Sequence, residues 1–376
     1  MNYIKIKNFK CFHETDIPLH KLTVLAGANG NGKSTVIQAL LFLRKTIERC
    51  AKREKNQRFH LNELNELNVE LNGTYCLNLG NSDYVLPIDS DNRDTITLGL
   101  FDRNNEFTIT YNTNTGQELW LTPKEFCNEY NDNPLCYQEF YYLNAERIGP
   151  RMSQDVRFCD YPNVGFKGEY TAQIISNLNW DFKVEDERVQ SENLSGSRLE
   201  HHINAWLGFI LPGVSITSYF DDKTHTARIE VYSRGNAIIP TNTGFGISYV
   251  LPIIVSGLIA KKDRFLIIEN PEAHLHPSAQ SKIGQFLATV ANVGINVIVE
   301  THSDHVINGI QIAVAEKKVK PENICINFFQ QNDPDTQPIV NSIGINEKGE
   351  LTDWPKGFFD QSQIDYSHLL QIRRNV

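Results

Sequence analysis

The segment Gly27–Thr35 (GANGNGKST) carries the residue types and spacing that phosphate chemistry needs. It reads Gly27-x-x-x-x-Gly32-Lys33-Ser34, a phosphate-binding loop. Glycines at 27, 30 and 32 let backbone N–H groups turn toward phosphate oxygens at the positive end of a helix dipole. Lys33 is placed to reach the β- and γ-phosphates, and the Ser34 hydroxyl to ligand Mg²⁺. The nucleotide-contacting set is therefore Gly27, Asn29, Gly30, Gly32, Lys33, Ser34 and Thr35.

A phosphate loop needs a strand-end carboxylate to hold Mg²⁺ through water. The segment RFLIIENPE supplies one, because four apolar residues, Phe265–Ile268, end in Glu269. A second apolar run, INVIVE (295–300), ends in Thr301-His302-Ser303. His302 is placed to reach a γ-phosphate or the attacking water; the alternative is a solvated loop histidine. TNTGFGISYVLP (241–252) is a further Gly-rich turn leading into an apolar helix from Ser248. It reads either as an anion site or as a turn with a helix cap. His274-x-His276, with Glu272 close by, hints at a metal site, but the spacing lacks the full ligand set zinc requires. His201 and His202 read as a solvated or interface pair.

These groups must be held by a particular set of elements. Lys21–Ala26 reads as a buried strand before the loop, and Val36, Leu40, Leu43 and Ile47 recur at helical spacing after it. Ahead of them Tyr3–Phe9 alternates as a strand, and Ile17–Leu19 leads onward. A polar stretch, Lys52–Glu66, precedes a meander of short strands at Thr95–Leu100, Glu106–Tyr111 and Glu118–Leu121. Another strand, Glu139–Leu143, ends in NAERIGPR. Two amphipathic helices follow, one through Tyr170, Ile174, Ile175 and Leu178, the other through Leu199, Ile203, Trp206, Leu207 and Ile210 with Ser197 as its cap. Lys183–Ser195 between them is polar. Strands return at Val214–Phe220 and Thr226–Tyr232. The last third alternates strand and helix: Phe265–Glu269, Pro277–Val290, Ile295–Val299, Ser303–Ala315. That rhythm implies a parallel sheet. The expected division is an amino-terminal lobe over 1–165, a helical insertion over 166–213 and a carboxyl-terminal lobe over 214–376.

Bulk properties agree. The 376 residues suffice for one large domain or two lobes, and 40% apolar with 22% charged residues is a globular composition. No apolar run approaches the roughly 20 residues needed to span a bilayer. Seven scattered cysteines without a CxxC pair point to a reducing cytosol, so a cytoplasmic location with no leader and no membrane partner is expected. The formal net charge of −9 argues against a surface coated for DNA, although a local basic groove is compatible with it.

The order IKIKNFKCF, LAGANGNGKST, GFGIS, LIIENPEAHLHP, VIVETHSDH resembles the ABC-type ATPases of the RecF, SMC and OLD (overcoming lysogenization defect) group. The combination of ENPEAHLHP, ETHSDHVING and WPKGFFDQ looks like a subfamily of small prokaryotic standalone ATPases, of AAA type in broad classifications, some with relatives in antiphage defence operons. The resemblance implies an α/β fold: an ABC-type P-loop ATPase head with a mixed or parallel central sheet, an amino-terminal antiparallel β-layer and a helical insertion. It implies ATP and Mg²⁺ as cofactors and two heads that sandwich two nucleotides as a homodimer. In that scheme Gly27–Thr35 is Walker A and Glu269 ends Walker B. Gly244, Gly246 and Ser248 belong to the signature motif that caps the partner's ATP. His274–Pro277 stands at the D-loop and His302 is the switch histidine. Lys10 approaches the phosphates, Gln38 joins Ser34 and Glu269 around the metal, and Arg147 is a nucleotide or interface residue.

One position departs from the family pattern. Walker B usually ends in Asp-Glu; here the pair is Glu269-Asn270. An amide can orient water but cannot take its proton, so slow or partner-gated hydrolysis is expected. Glu272 is the substitute base if the turn brings it near, and Glu300 is a further candidate. Alternatively, Asn270 caps the turn before Pro271. Three functions fit. One is an ATP-dependent dimeric switch acting on a separate effector protein such as a nuclease or toxin. Another is a RecF-like DNA clamp using Arg44, Lys45, Lys52, Arg53, Lys55, Lys261, Lys262 and Arg264. The third is a nucleotide sensor without turnover. The tail Leu351–Gln361 reads as packing against the sheet or as a docking element.

Overall fold

The computed structural model describes residues 2–53, 58–64, 67–90, 95–103, 105–113, 116–178, 181–191, 194, 198–331, 333 and 336–374. Ser197 and Lys55, assigned from sequence as a helix cap and a groove charge, lie outside the described residues.

Two six-stranded sheets dominate. The central one runs, edge to edge, Tyr141–Leu143, Phe265–Glu269, Asn296–Glu300, Leu22–Gly27, Ile324–Gln330 and Ile339–Ile343. The first five strands are mutually parallel and the last is antiparallel. Parallel strands need crossovers, and helices supply them. They are α1 (Lys33–Cys50), α2 (Thr171–Leu178), α3 (Leu199–Ile210), α4 (Phe245–Ile259), α5 (Pro277–Asn292) and α6 (Asp304–Ala315). A seventh, α7 (Gln361–Arg374), has no buried residue.

The pleat divides the central sheet between two cores. Leu22, Val24, Leu266, Ile268, Val297 and Val299 face a cluster shared with α2–α6. Leu25, Phe265, Ile267 and Ile298 face a second cluster shared with α1 and the other large sheet. Burial on both faces explains why these strands read as unbroken apolar runs.

The second sheet is the expected antiparallel layer. Its order is Phe12–Leu19, Asn2–Phe9, Ile96–Asp102, Asn105–Asn112, Trp120–Asn128 and Val69–Glu70. Its fifth strand runs well past the predicted end at Leu121, through Pro123. The neighbouring Val69–Glu70 strand pairs only with Leu121 and Trp120, so Pro123 sits where no partner needs its missing N–H. The opposite register slips at Thr110 and Tyr111 to accommodate it. A smaller sheet, Gln154–Asp155, Thr226–Ser233 and Val214–Asp221, carries Asn236–Ile238 on its middle strand. In the tail, Phe358 is buried edge-on against Phe328 at 5.0 Å, so this part of the carboxyl-terminal segment packs on the central sheet.

Among the described residues no helix is long and apolar enough to cross a membrane.

Candidate active site

All the carboxyl ends of the parallel strands open on one edge, where ligands of such sheets bind. Gly27, Glu269 and Glu300 sit at that edge. The Asn296–Glu300 strand lies between the phosphate-loop strand and the Phe265–Glu269 strand, with Glu269 in register beside Glu300 and Glu300 beside Leu25.

The loop has the backbone its glycines permit. Gly30 and Gly32 have φ of 84° and 91°, conformations that favour glycine. A Cβ on Gly32 would stand 2.8 Å from both Cys11 Sγ and Phe12 Cζ, and one on Gly27 2.4 Å from the Phe329 carbonyl oxygen. Lys33 is buried, and its Nζ donates to the Gly27 and Ala28 carbonyls at 2.9 and 2.8 Å. It thereby closes the loop around a space of about 450 Å³. Asn29, Gly30, Gly32, Ser34, Thr35, Lys10 and Gln38 line that space with Glu300. Lys10 Nζ donates to Gln38 Oε1 at 2.7 Å, so these two expected ligands brace each other at its wall.

Three carboxylates approach this floor in different ways. Ser34 Oγ donates to Glu300 Oε1 at 2.9 Å, while Glu300 Oε2 is buried without a hydrogen-bond partner. Burial, with Glu269 and Glu272 nearby, pushes the Glu300 carboxyl up to about 7 against the pull of Ser34 and Lys33. Glu269 has both oxygens engaged: Tyr142 Oη donates at 2.8 Å and the Ala145 N–H at 3.3 Å. Its carboxyl is also raised by burial. Glu272 accepts from Thr301 Oγ1 at 2.8 Å and from the His302 backbone N–H at 2.7 Å, which ties the turn after Glu269 to the loop after Glu300. The exposed His302 ring has its pKa lowered by burial of its inner side and by Lys33.

Asn270 occupies the left-handed region (φ 44°), which asparagine tolerates. Its N–H donates to the Glu300 carbonyl at 2.8 Å, and its Oδ1 is buried without a partner. Both the turn role and the water-facing role expected for this residue remain compatible with that geometry.

Gly244, Gly246 and Ser248 do not line the phosphate-loop space. Gly244 caps α4, which starts at Phe245, a turn earlier than the predicted Ser248. Ser248 lines a separate small cavity with Gly149, Arg151, Gly168 and Arg228. Arg147, expected at a nucleotide or interface, is buried and bonded to backbone carbonyls.

The metal expectation fits these residues. Among the described residues no group of three or more His, Cys, Asp or Glu forms a metal cage. Mg²⁺ does not require one, since it is usually held by one or two protein oxygens together with phosphates and waters. Ser34 Oγ and the orphaned Glu300 Oε2 are such oxygens.

Two features escaped the sequence reading. Glu300 was singled out only as a spare base beside the switch histidine, yet it is the carboxylate on Ser34. Tyr84, Leu86 and Ile88 form an apolar wall of the phosphate-loop space. Only their alternation could have suggested a surface strand, and nothing in it points to the loop.

Residues 1–163 and 166–307 match the AAA ATPase domain family, and residues 319–369 match a family described as protein of unknown function (DUF3696). The OLD nuclease of Thermus scotoductus is 43% identical over 37 residues, covering 10% of this chain and 7% of that protein. The Old nuclease of Escherichia phage P2 is 26% identical over 181 residues, covering 37% of this chain and 31% of that protein. The chain thus aligns with less than a third of the length of either relative. Among solved structures, an Smc head bound to the C-winged helix domain of ScpA has a TM-score of 0.49 at 14% identity, covering 91% of this chain and 97% of that one. An Smc head with an extended coiled coil, bound to the C-terminal domain of ScpA from Pyrococcus furiosus, has a TM-score of 0.49 at 12% identity, covering 92% and 97%. With well over half of its length matched, this chain belongs to the AAA ATPase domain family and has OLD nucleases among its relatives.

Proposed function

We propose that the chain binds ATP·Mg²⁺ on the Gly27–Thr35 loop, hydrolyses it slowly, and works as a nucleotide-gated homodimeric switch on a separate effector protein. The observation that carries the reading is the Ser34–Glu300 pair beside Lys33. A hydroxyl, a half-satisfied buried carboxylate and an ammonium meet at the mouth of a glycine loop built for phosphates. When bound, Mg²⁺ would lie at Ser34 and Glu300 and neutralise charge developing on the phosphates. Lys33 exchanges its two loop carbonyls for phosphate oxygens. With Glu300 given to the metal, Glu272, which accepts from the His302 N–H, is the carboxylate assigned to take a proton from water; Asn270 can only orient that water. Glu269 holds the Tyr142–Ala145 strand end against the site.

In this reading Gly244, Gly246 and Ser248, which do not line their own chain's phosphate-loop space, cap the partner's nucleotide. An antiphage setting comes from the family resemblance alone.

The DNA-clamp reading loses much of its charge. Arg44 is fully buried, and Lys45 is buried against the Asn72 carbonyl. Lys261 and Arg264 both sit on Glu139, and Arg53 on Asp160.

Light scattering of the full chain without nucleotide, with ATP·Mg²⁺ and with ADP, run alongside phosphate release, tests the switch. A dimer that requires ATP and turns over below about 1 s⁻¹ supports it. A mass unchanged by nucleotide together with no turnover refutes it and leaves a scaffold.

A further inference from the structure

Arg147 lies just past the Tyr141–Leu143 strand and is only 3% exposed. Its hydrogen bonds go to backbone carbonyls. Nη1 donates to Asn144 O at 3.0 Å and to Glu269 O at 2.8 Å, and Nη2 to Asn270 O at 2.6 Å. The two Walker B carbonyls belong to the peptide planes on either side of Asn270, whose φ is 44°. Holding both planes fixes the direction in which Glu269 leaves its strand and the path by which the chain reaches Glu272. A planar fork does this, and a single ammonium cannot reproduce it.

The guanidinium also meets α4. It lies 5.1 Å from the centroid of the Tyr249 ring. That ring stands edge-on to the His274 imidazole at 4.6 Å, and Phe245 approaches the same imidazole at 5.1 Å. His274 is held in the left-handed region at φ 60°, and a Cβ on Gly246 would stand 3.0 Å from its carbonyl oxygen. The first turns of α4, the His274 turn and Arg147 therefore form one packed unit. Burial lowers the guanidinium to about 10, the mark of a dry setting in which its charge bonds strongly to carbonyls.

We infer that Arg147 is a positioning residue that fixes the Glu269–Asn270 turn and, through Tyr249, couples that turn to the start of α4. Movement of the Gly244–Ser248 segment then changes turnover at the same chain's phosphate loop. The inference rests on the hydrolysis proposed above. A buried arginine that merely satisfies carbonyls would affect stability alone.

The test uses the full chain and four variants, Tyr249→Leu, Tyr249→Phe, Arg147→Lys and Lys33→Ala. Turnover, KM for ATP, equilibrium binding of a fluorescent ATP analogue and thermal melting are measured on each. Tyr249→Leu is expected to lower kcat about tenfold, and Arg147→Lys about 10²-fold, the loss typical of misplaced catalytic groups. KM and analogue binding should stay within about twofold, since neither residue lines the phosphate-loop space. Tyr249→Phe keeps the ring and should recover most of the turnover lost in Tyr249→Leu. A soluble Tyr249→Leu variant with wild-type kcat, or a phenylalanine variant as slow as the leucine one, overturns the coupling. If Arg147→Lys fails to fold, the Tyr249 pair decides. Wild-type turnover that survives Lys33→Ala, or its absence altogether, overturns the hydrolysis reading and the inference with it. Turnover that Lys33→Ala abolishes and Tyr249→Leu leaves intact overturns the inference alone.

Discussion

Ser34 Oγ donates to Glu300 Oε1 at 2.9 Å, joining the phosphate loop to the strand beside it rather than to the Glu269 strand one position further out. Glu300 Oε2 is left buried and unpartnered, and the carboxyl is pushed up to about 7, chiefly by burial. An acid whose folded pKa is raised binds protons better when folded. The metal-free chain is therefore stabilised by this group at low pH and loses that contribution as pH rises from about 4.5 toward 7. The effect is on the order of 1–3 kcal/mol. Melting curves of the metal-free chain between pH 5 and 8 should fall more steeply for wild type than for Glu300→Gln. ATP·Mg²⁺ should stabilise wild type increasingly over the same range, since cation binding needs the ionised carboxylate. Parallel curves for wild type and variant would remove Glu300 from the metal site.

Gly32 stands where a side chain has no room. Its φ is 91°, and a Cβ would meet Cys11 Sγ and Phe12 Cζ at 2.8 Å. Gly32→Ala should cost about 1–3 kcal/mol of strain. It should also weaken ATP binding by at least about tenfold, because the shift needed to relieve the clash moves the Lys33 amide. Titration of a fluorescent ATP analogue against the variant checks this; unchanged affinity would show that the loop adapts.

How legible this site was depended on distance along the chain. The phosphate loop, the Glu269 strand end and the His302 turn were readable because each packs its chemistry into a few consecutive residues. Glu300 was visible as a strand-end acid. Its partner was not, because which strand lies beside Leu22–Gly27 depends on crossovers that no local pattern fixes. The strands Ile324–Gln330 and Ile339–Ile343 went unnoticed for a similar reason: their polar positions, Asn327 and Asn341, are satisfied by tertiary partners, Pro18 O and Gln330 Oε1. The residues between the expected Tyr3–Phe9 strand and Ile17–Leu19 carry no apolar alternation, yet Thr15 pairs with Ile6 and Glu14 with Lys7 at the start of the antiparallel layer. Arg147 is a nucleotide or interface residue by the family resemblance, and no local pattern places it in the interior. Only the fold shows the three carbonyls it holds.

Glu272 and Asn270 make opposite predictions. Glu272 spends its oxygens on the Thr301 hydroxyl and the His302 N–H, the segment that follows Glu300. Glu272→Gln keeps one acceptor and removes the basic carboxylate, so kcat should fall about 10²–10⁴-fold while ATP still binds. The ATP-bound dimer should accumulate, which light scattering would detect. Asn270→Glu must place a longer side chain on a left-handed backbone, so it should raise turnover less than about twofold. A large gain from Asn270→Glu with little loss from Glu272→Gln would make Asn270 the brake and Glu272 a structural tie.

Tyr84, Leu86 and Ile88 line the phosphate-loop space together with Gly30 and Lys33, and Tyr84 and Ile88 are strongly exposed in the free chain. The Lys10 N–H donates to the Val85 carbonyl at 2.8 Å, which fixes this segment to the turn beside the loop. An apolar wall next to a phosphate cradle suits a purine ring, and stacking on one aromatic is worth about 0.5–1.5 kcal/mol beyond buried area. Lys10 and Gln38 line the same space and bond to each other, so neither stands free to read the base edge. Tyr84→Ala should weaken ATP and GTP binding alike, by about 3- to 30-fold, and leave inorganic tripolyphosphate binding unchanged. Competition of each ligand against a fluorescent nucleotide separates the outcomes. Equal weakening of all three would make Tyr84 a support for the loop, and loss of ATP but not GTP would show that the wall discriminates between bases.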